Sequence, residues 1–388
     1  MFAIAARNAL IEPFHVMEII KRADQLAAAG RSIIHLSIGE PDFSAPAPVR
    51  NAAIRAIEAG ATRYTPSLGL NALREALAGH YAEHFGVSID PARIVITAGA
   101  SGALTLACTA LVDPDAEVLM ADPSYPCNRN FVLAAGGRAR LIPSGPRERF
   151  QLTADAAADA WTSATRGLLV ASPSNPTGTS IGLAELERLL ALVRAKDGFA
   201  IVDEIYQGLS YEGRPVTALS VSDDAVVVNS FSKYQNMTGW RLGWMVAPIA
   251  LVPELEKLAQ NLTICPSAVA QHAALACFSP ESRSIFESRR AKFKRRRDFL
   301  VPALRAIGLT IPVEPDGAFY IYADISQVAH DSSQFASDLL ERTGVCLVPG
   351  KDFGRAEAQR YVRISYANSL PALEEAVERI ASYLAGRR

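Results

Sequence analysis

The sequence predicts an α/β protein in two parts: a large three-layer domain around a mostly parallel central sheet, and a smaller α+β domain built from both chain ends. Short, continuously apolar runs such as 117-EVLMA-121, 199-FAIVDE-204 and 225-AVVVNSF-231 alternate with helical patterns. Strands that are apolar throughout are buried on both faces, which is the habit of parallel sheets covered by helices. Beyond about residue 280 the pattern changes to a long charged helix, separate strands and a closing helix. A chain of 388 residues also exceeds one ordinary core. The expected organisation is an N-terminal arm with part of the small domain at 1–45, a large domain at 46–280 and the remainder of the small domain at 281–388.

Taken in order, residues 16–29 (VMEIIKRADQLAAA) have helical spacing and stop at Gly30, a residue suited to ending helices. The stretch 33-IIHLSIGEPDFSAP-46 turns from a strand into a loop, and 47–60 and 70–85 read as helices around 61-ATRYTPSLG-69. A strand at 94–99 runs directly into a small-residue helix at 100–112. Strands follow at 117–121, 138–144, 167–173, 199–204, 225–231 and 242–247, with helices at 127–135, 154–162, 182–195 and 249–262. The last part reads as a helix at 281–308, a strand at 317–325, a helix at 332–343, strands at 345–350 and 361–367, and a helix at 370–386.

Bulk properties narrow the function. Hydrophobic residues make up 49% of the chain and the formal charge is −1, so neither disorder nor a global field for nucleic acid or anionic membrane is expected. The basic run 289-RRAKFKRRR-297 lies inside a helical pattern and reads as a solvated face rather than a nucleic-acid site. Five scattered cysteines without C-x-x-C spacing point to a reducing compartment and away from zinc. The amino terminus lacks a signal-like apolar run and no stretch is long enough to span a membrane, so the expected location is cytoplasmic.

The chemistry-bearing residues fall at strand ends, where open α/β sheets bind ligands. Ala100-Ser101-Gly102 opens a helix after 94-IVITAG-99; this is ordinary capping or an anion site built from free N–H groups. Asp203 ends an apolar strand with Tyr206 three residues on; it caps a turn, or it faces a cationic partner that a buried carboxylate requires. The turn at Asn175-Pro176 aims an amide. The segment 230-SFSKYQNMTGWRLGW-244 supplies Ser230, Ser232, a lone Lys233 and Arg241 among apolar neighbours. One ligand meets these demands together: pyridoxal 5'-phosphate, whose aldehyde needs an amine, whose ring nitrogen needs an acid, and whose phosphate needs hydroxyls, N–H groups and an arginine.

With these residues in view the sequence resembles the class I and II, aspartate-aminotransferase-like family of pyridoxal-phosphate enzymes, the fold type I group. The resemblance covers nearly the whole chain and rests on 64-YTPSLGLNALREALA-78, 122-DPSYP-126, 174-SNPTGT-179, 203-DEIY-206, 230-SFSKYQNMTGWRLGW-244, 317-GAFYIY-322 and 361-YVRISYA-367. It implies that Lys233 carries the cofactor as a Schiff base and shuttles the substrate's α-proton, and that Asp203 keeps the ring nitrogen protonated. It implies that Tyr206 and Asn175 hydrogen-bond the ring's phenolic oxygen, and that Ser230, Ser232, Arg241, Ser101 and the Ala100 amide hold the phosphate. Tyr125 matches the residue stacked on the ring. Tyr64 matches a tyrosine reaching the phosphate from a neighbouring subunit, which implies a homodimer with shared sites. Arg363 matches the arginine that holds the substrate carboxylate, and Gly39 matches a glycine whose backbone approaches it.

The activity implied is transfer of an amino group from an L-amino acid to a 2-oxo acid by a ping-pong mechanism. A β-eliminating lyase of the same fold would share most of these residues. A non-catalytic cofactor-binding regulator is the other alternative; only residues 1–13 precede family-like sequence, which leaves no room for a DNA-binding segment. The uncharged residues expected at the mouth, Phe14, Val16, Ile38, Cys127, Ile264 and Cys265, lean towards neutral or apolar donors. No metal is expected.

Overall fold

A computed structural model describes residues 4–13, 15–213 and 215–386. In chain order the strands are β1 (Ile34–His35), β2 (Ile94–Thr97), β3 (Glu117–Asp122), β4 (Arg138–Pro143), β5 (Thr165–Ala171), β6 (Phe199–Asp203), β7 (Val226–Ser230), β8 (Gly243–Val246), β9 (Tyr320–Asp324), β10 (Val345–Cys346), β11 (Val348–Pro349) and β12 (Tyr361–Ser365). The helices are α1 (His15–Ala28), α2 (Ala47–Glu58), α3 (Asn71–Phe85), α4 (Gly99–Leu111), α5 (Pro126–Ala134), α6 (Ala154–Ala160), α7 (Leu183–Ala195), α8 (Val252–Leu262), α9 (Ala268–Leu275), α10 (Pro280–Ala306), α11 (Ser332–Thr343) and α12 (Leu370–Ala385).

Seven strands form the large sheet in the order β2-β8-β7-β6-β5-β3-β4. The neighbours from β4 to β7 run parallel, whereas β8 is antiparallel to both β2 and β7. The sheet is therefore mostly parallel, as the continuous apolar runs require. Side chains alternate between two cores. Ile94, Ile96 and Val227 face one with Leu73, Tyr81 and Leu189; Val95, Val226 and Val228 face the other with Leu104 and Leu255. Helices thus cover both faces, giving three layers. A second, three-stranded antiparallel sheet, β11-β12-β9, packs with α10, α11 and α12 around Phe319, Ile364, Phe335, Leu373 and Ile380. Ile34 and Leu36 from the start of the chain join this core, as do Tyr206 and Leu209 from the end of β6.

Local chemistry sets several boundaries. Gly86, at φ 70°, ends α3, and Ser279, Asp331 and Ser369 cap α10, α11 and α12 by accepting first-turn N–H groups. Three expectations needed revision. The strand expected at the start of 33–46 keeps only two paired residues, because past His35 the chain leaves for the cavity described below. Helix α9 was not anticipated: Ala268–Leu275 is short and mostly apolar, with Gln271 buried among its alanines, and packs against α2 and α3, so it shows no clear polar face. The basic run on α10 is only partly solvated. Arg296 and Arg297 are buried; Arg296 pairs bidentately with Asp42, and Arg297 with Glu212 and Asp298. Arg289, Lys292 and Arg296 also lie about the ring of Phe43, at 5.1, 5.5 and 5.3 Å from its centroid. Arg289, which donates to Ser44 O, and Arg296 thus hold the 42–45 segment, while Lys292 stays exposed.

Candidate active site

A cavity of about 250 Å³ lies at the carboxyl ends of β5, β6 and β7. Gly39, Ala100, Ser101, Tyr125, Asn175, Asp203, Tyr206, Ser230, Ser232, Lys233, Arg241 and Arg363 all line it. Every site residue expected from sequence is therefore brought together except Tyr64, which lies away from this chain's own cavity and is 81% exposed.

The anion end is shaped by missing side chains. Gly99, at φ +73°, turns the chain from β2 into α4, and an added Cβ there would lie 2.7 Å from an Arg241 guanidinium nitrogen. Gly243 on β8 passes under this turn; a Cβ on it would meet Gly99 C at 2.7 Å and Ala100 N at 2.9 Å. The first turn of α4 can thus bring its free N–H groups to the cavity edge. Ser230 Oγ donates to Ser232 Oγ at 2.8 Å, holding both hydroxyls at the end of β7. The Arg241 side chain donates to Thr238 O at 3.2 Å and forms no ion pair among the described residues.

On the floor, Asp203 is buried, and its Oδ1 accepts the Ile205 N–H at 3.0 Å. Burial pushes its carboxyl up to about 6, against the opposing pull of the Ile205 N–H and Lys233. Lys233 Nζ donates to Gly39 O at 2.5 Å and lies 5.6 Å from the Tyr206 ring centroid. The lysine side chain is half-buried rather than sealed, so the cavity reaches solvent. Its amine is brought down to about 8, first by desolvation, with Glu40 opposing and Arg363 and Arg241 assisting. A fraction of neutral amine near neutral pH is what a nucleophile or general base requires.

Arg363 is 3% exposed. It donates to Asn175 Oδ1 at 2.9 Å and to Ser37 O at 2.6 Å, while its buried Nε has no partner among the described residues. The guanidinium sits between two aromatic faces, 4.5 Å from the Tyr320 centroid and 4.9 Å from that of Phe353. The bland alternative, a half-exposed strand arginine paired with a surface acid, does not hold, because β12 is buried along its whole length. A buried cation without a carboxylate is costly unless a ligand supplies one.

The apolar wall differs from expectation. Val16, Met17 and Ile20 of α1, Leu104 of α4 and Phe131 of α5 line the cavity; of these only Val16 was anticipated. Positions 16, 17 and 20 share a helix face, the one signal that could have found them. Ile38 is not part of the lining, and Ile264 and Cys265 lie on the turn after α8, where Ile264 is exposed. Cys127 is not part of the lining either; its side chain is hydrogen-bonded with that of Tyr125. Phe14 lies outside the described residues. Among the described residues no group of His, Cys, Asp or Glu could hold a metal, and no helix is long and apolar enough to cross a membrane.

Residues 31–380 match the family model for aminotransferase class I and II. The chain is 42% identical over 381 residues to a valine–pyruvate aminotransferase of Mycobacterium tuberculosis, covering 98% of each. It is 35% identical to an aspartate aminotransferase of Geobacillus stearothermophilus, covering 99% of each. In three dimensions it is similar to an aminotransferase from Mycobacterium tuberculosis (TM-score 0.95, 42% identity, all of both chains). It is also similar to the aspartate aminotransferase of Thermus thermophilus with maleate (TM-score 0.93, 35% identity, 98% of this chain and all of that one). The chain belongs to the class I and II aminotransferases, and it is a transaminase.

Proposed function

We propose that the protein is a pyridoxal-phosphate-dependent aminotransferase that takes the amino group of a neutral or apolar L-amino acid and passes it to a 2-oxo acid. The observation that carries this reading is the shared cavity: a depressed amine, a buried carboxylate and two arginines with no acid partner among the described residues stand around one space. The residues fit the cofactor. Arg241, Ser230, Ser232, Ser101 and the Ala100 amide suit a phosphate, and Gly99 and Gly243 let Arg241 and the first turn of α4 pack closely enough to share it. Asp203 offers a buried anion to a protonated ring nitrogen, Tyr206 and Asn175 offer hydrogen bonds to the ring oxygen, and Tyr125 offers a flat face. When bound, pyridoxal phosphate supplies a carbonyl for the amino group and a ring that accepts the electron pair released at the substrate's α-carbon.

The chain's own residues supply the rest. Arg363, held by Asn175 and Ser37 and lacking a carboxylate, takes the α-carboxylate of each substrate in turn, so donor and acceptor exclude one another and ping-pong kinetics follow. Lys233, whose amine is partly neutral near pH 8, removes the α-proton and returns it. Val16, Met17, Ile20, Leu104 and Phe131 surround the substrate side chain with hydrocarbon, which favours an uncharged donor. The name of the Mycobacterium tuberculosis relative supports the same preference.

A second copy of the chain completes the assembly in this reading. The exposed Tyr64, with Ile54, Ile57, Leu262 and Ile264 also exposed, supports a homodimer in which Tyr64 reaches the partner's phosphate site. The five cysteines are all free, which supports a reducing, cytoplasmic setting. The test is a panel of single amino acids mixed with cofactor-loaded protein without acceptor. Valine, leucine or methionine should change the visible absorbance faster than aspartate or lysine; the reverse order would overturn the substrate preference, and no change with any donor would overturn the reaction.

A further inference from the structure

Tyr320 lies in the motif 317-GAFYIY-322. The structure gives it an unusual position. It is fully buried on β9, and its hydroxyl lies 2.8 Å from the hydroxyl of Tyr206. The Arg363 guanidinium lies 4.5 Å from its ring centroid. A Cβ at Gly39 would stand 3.3 Å from the Tyr320 hydroxyl, and the Gly39 carbonyl accepts from Lys233. One side chain therefore touches the carboxylate-binding arginine through its face and the tyrosine on the cofactor's side through its hydroxyl.

From this geometry we propose that Tyr320 is a positioning residue that couples occupation of the Arg363 carboxylate site to the hydrogen bond Tyr206 gives the cofactor's ring oxygen. The inference rests on the cofactor reading above. The proton count gives the link its direction. Either phenol can donate in the pair seen here. Once Tyr206 commits its proton to a ring oxygen, Tyr320 must be the donor and the Tyr206 oxygen the acceptor. A phenol that accepts a hydrogen bond becomes a stronger donor itself, as in any polarised chain. The Arg363 charge over the Tyr320 face draws electron density from that ring and sharpens its donation. When a substrate carboxylate neutralises Arg363, this pull weakens, and so does the chain ending on the cofactor oxygen. Burial holds the Tyr320 proton in place throughout, because it raises the phenol above its ordinary range while Arg363 opposes.

The readout is the pH titration of the visible absorbance of cofactor-loaded protein, with and without 4-methylpentanoate, a carboxylate that lacks the reacting amine. Tyr320→Phe keeps the ring against Arg363 and removes only the hydroxyl. Its titration midpoint should lie higher than that of the wild type, on the order of 0.3 of a pH unit for one polarised neutral hydrogen bond. The shift that 4-methylpentanoate causes in the wild type should shrink in Tyr320→Phe, while affinity for the carboxylate stays within about twofold. Tyr320→Leu removes the ring too and should weaken carboxylate binding about fivefold, the scale of a lost cation–π contact. Midpoints and carboxylate-induced shifts identical in wild type and Tyr320→Phe would overturn the coupling. A wild-type protein with no cofactor absorbance would overturn the cofactor reading itself, so the two failures are distinct.

Discussion

Replacing Asp203 by asparagine separates the cost of burying a carboxylate from its service to a ligand. Asp203 sits at the end of β6, buried, with one backbone N–H as its close donor. Burial raises its carboxyl from 3.8 to about 6, a difference that corresponds to about 3 kcal/mol. The folded carboxyl keeps its proton to higher pH than the unfolded one, so the folded state binds more protons between these values. Stability therefore falls as pH rises through that window, and the penalty is complete above about 6. Asparagine carries no such penalty. In cofactor-free protein the stability of Asp203→Asn relative to wild type should rise by about 2 kcal/mol between pH 4.5 and 7.5, the part of the window those limits span. Urea unfolding of both proteins at equal concentration measures this. With saturating pyridoxal phosphate the order at pH 7.5 should reverse, because only the carboxylate can hold a protonated ring nitrogen. Parallel pH profiles for the two cofactor-free proteins would refute the burial argument, and equal stabilisation by the cofactor would refute the ion pair.

The other expectations are independent of that one. Arg363→Lys keeps the charge but loses the planar fork held by Asn175 and Ser37, so amino-acid half-reaction efficiency should drop by at least ~10²-fold with cofactor affinity unchanged. Loss of cofactor with normal substrate handling would make Arg363 structural. Lys233→Ala should lose turnover and the label fixed by borohydride; a label found on another lysine in the wild type would displace Lys233 from its role. Tyr64→Phe mixed with Lys233→Ala should give hybrid dimers with one intact site and more activity than either parent, and a fully active monomer in dilute sedimentation would exclude sharing. Glu204, buried behind Asp203, is pushed up to about 8 by desolvation. Glu204→Gln should therefore gain stability over wild type by at least ~1 kcal/mol as pH rises from 5 to 8, again read from unfolding curves.

The large sheet and its ligand edge were legible because burial on two faces leaves a plain mark: uninterrupted apolar runs, each ending in a residue that the apolar pattern does not explain. Asp203, Ser230 and Lys233 stand out for that reason. Helix α9 left no such mark, since eight residues that are mostly alanine, with a buried Gln271, carry no regular polar stripe. Arg296 and Arg297 misled for the opposite reason: their sequence neighbours are charged, and only their distant partners, Asp42 and Glu212, reveal that they are buried. The apolar wall was missed because its parts come from α1, α4 and α5, and nothing local joins Met17 to Phe131. Tyr320 was hidden in the same way. Its environment consists of Tyr206, Gly39 and Arg363, each from a different part of the chain.

The crossing of Gly243 beneath the first turn of α4 has a consequence for how such a protein can change. Gly243 does not line the cavity, so a survey of ligand contacts would pass over it. Yet any side chain there would collide with the backbone of Gly99 and Ala100, which cannot yield without lifting the helix start off its seat. The anion end of the cavity is thus fixed by a prohibition on volume one layer down. On the apolar wall Met17 is exposed and Ile20 and Phe131 are only partly buried, so they can change size more freely than Val16 and Leu104, which are packed into the cores. New substrate preferences are therefore open to drift and to laboratory selection through α1 and α5, while the anion end of the cavity stays closed to both.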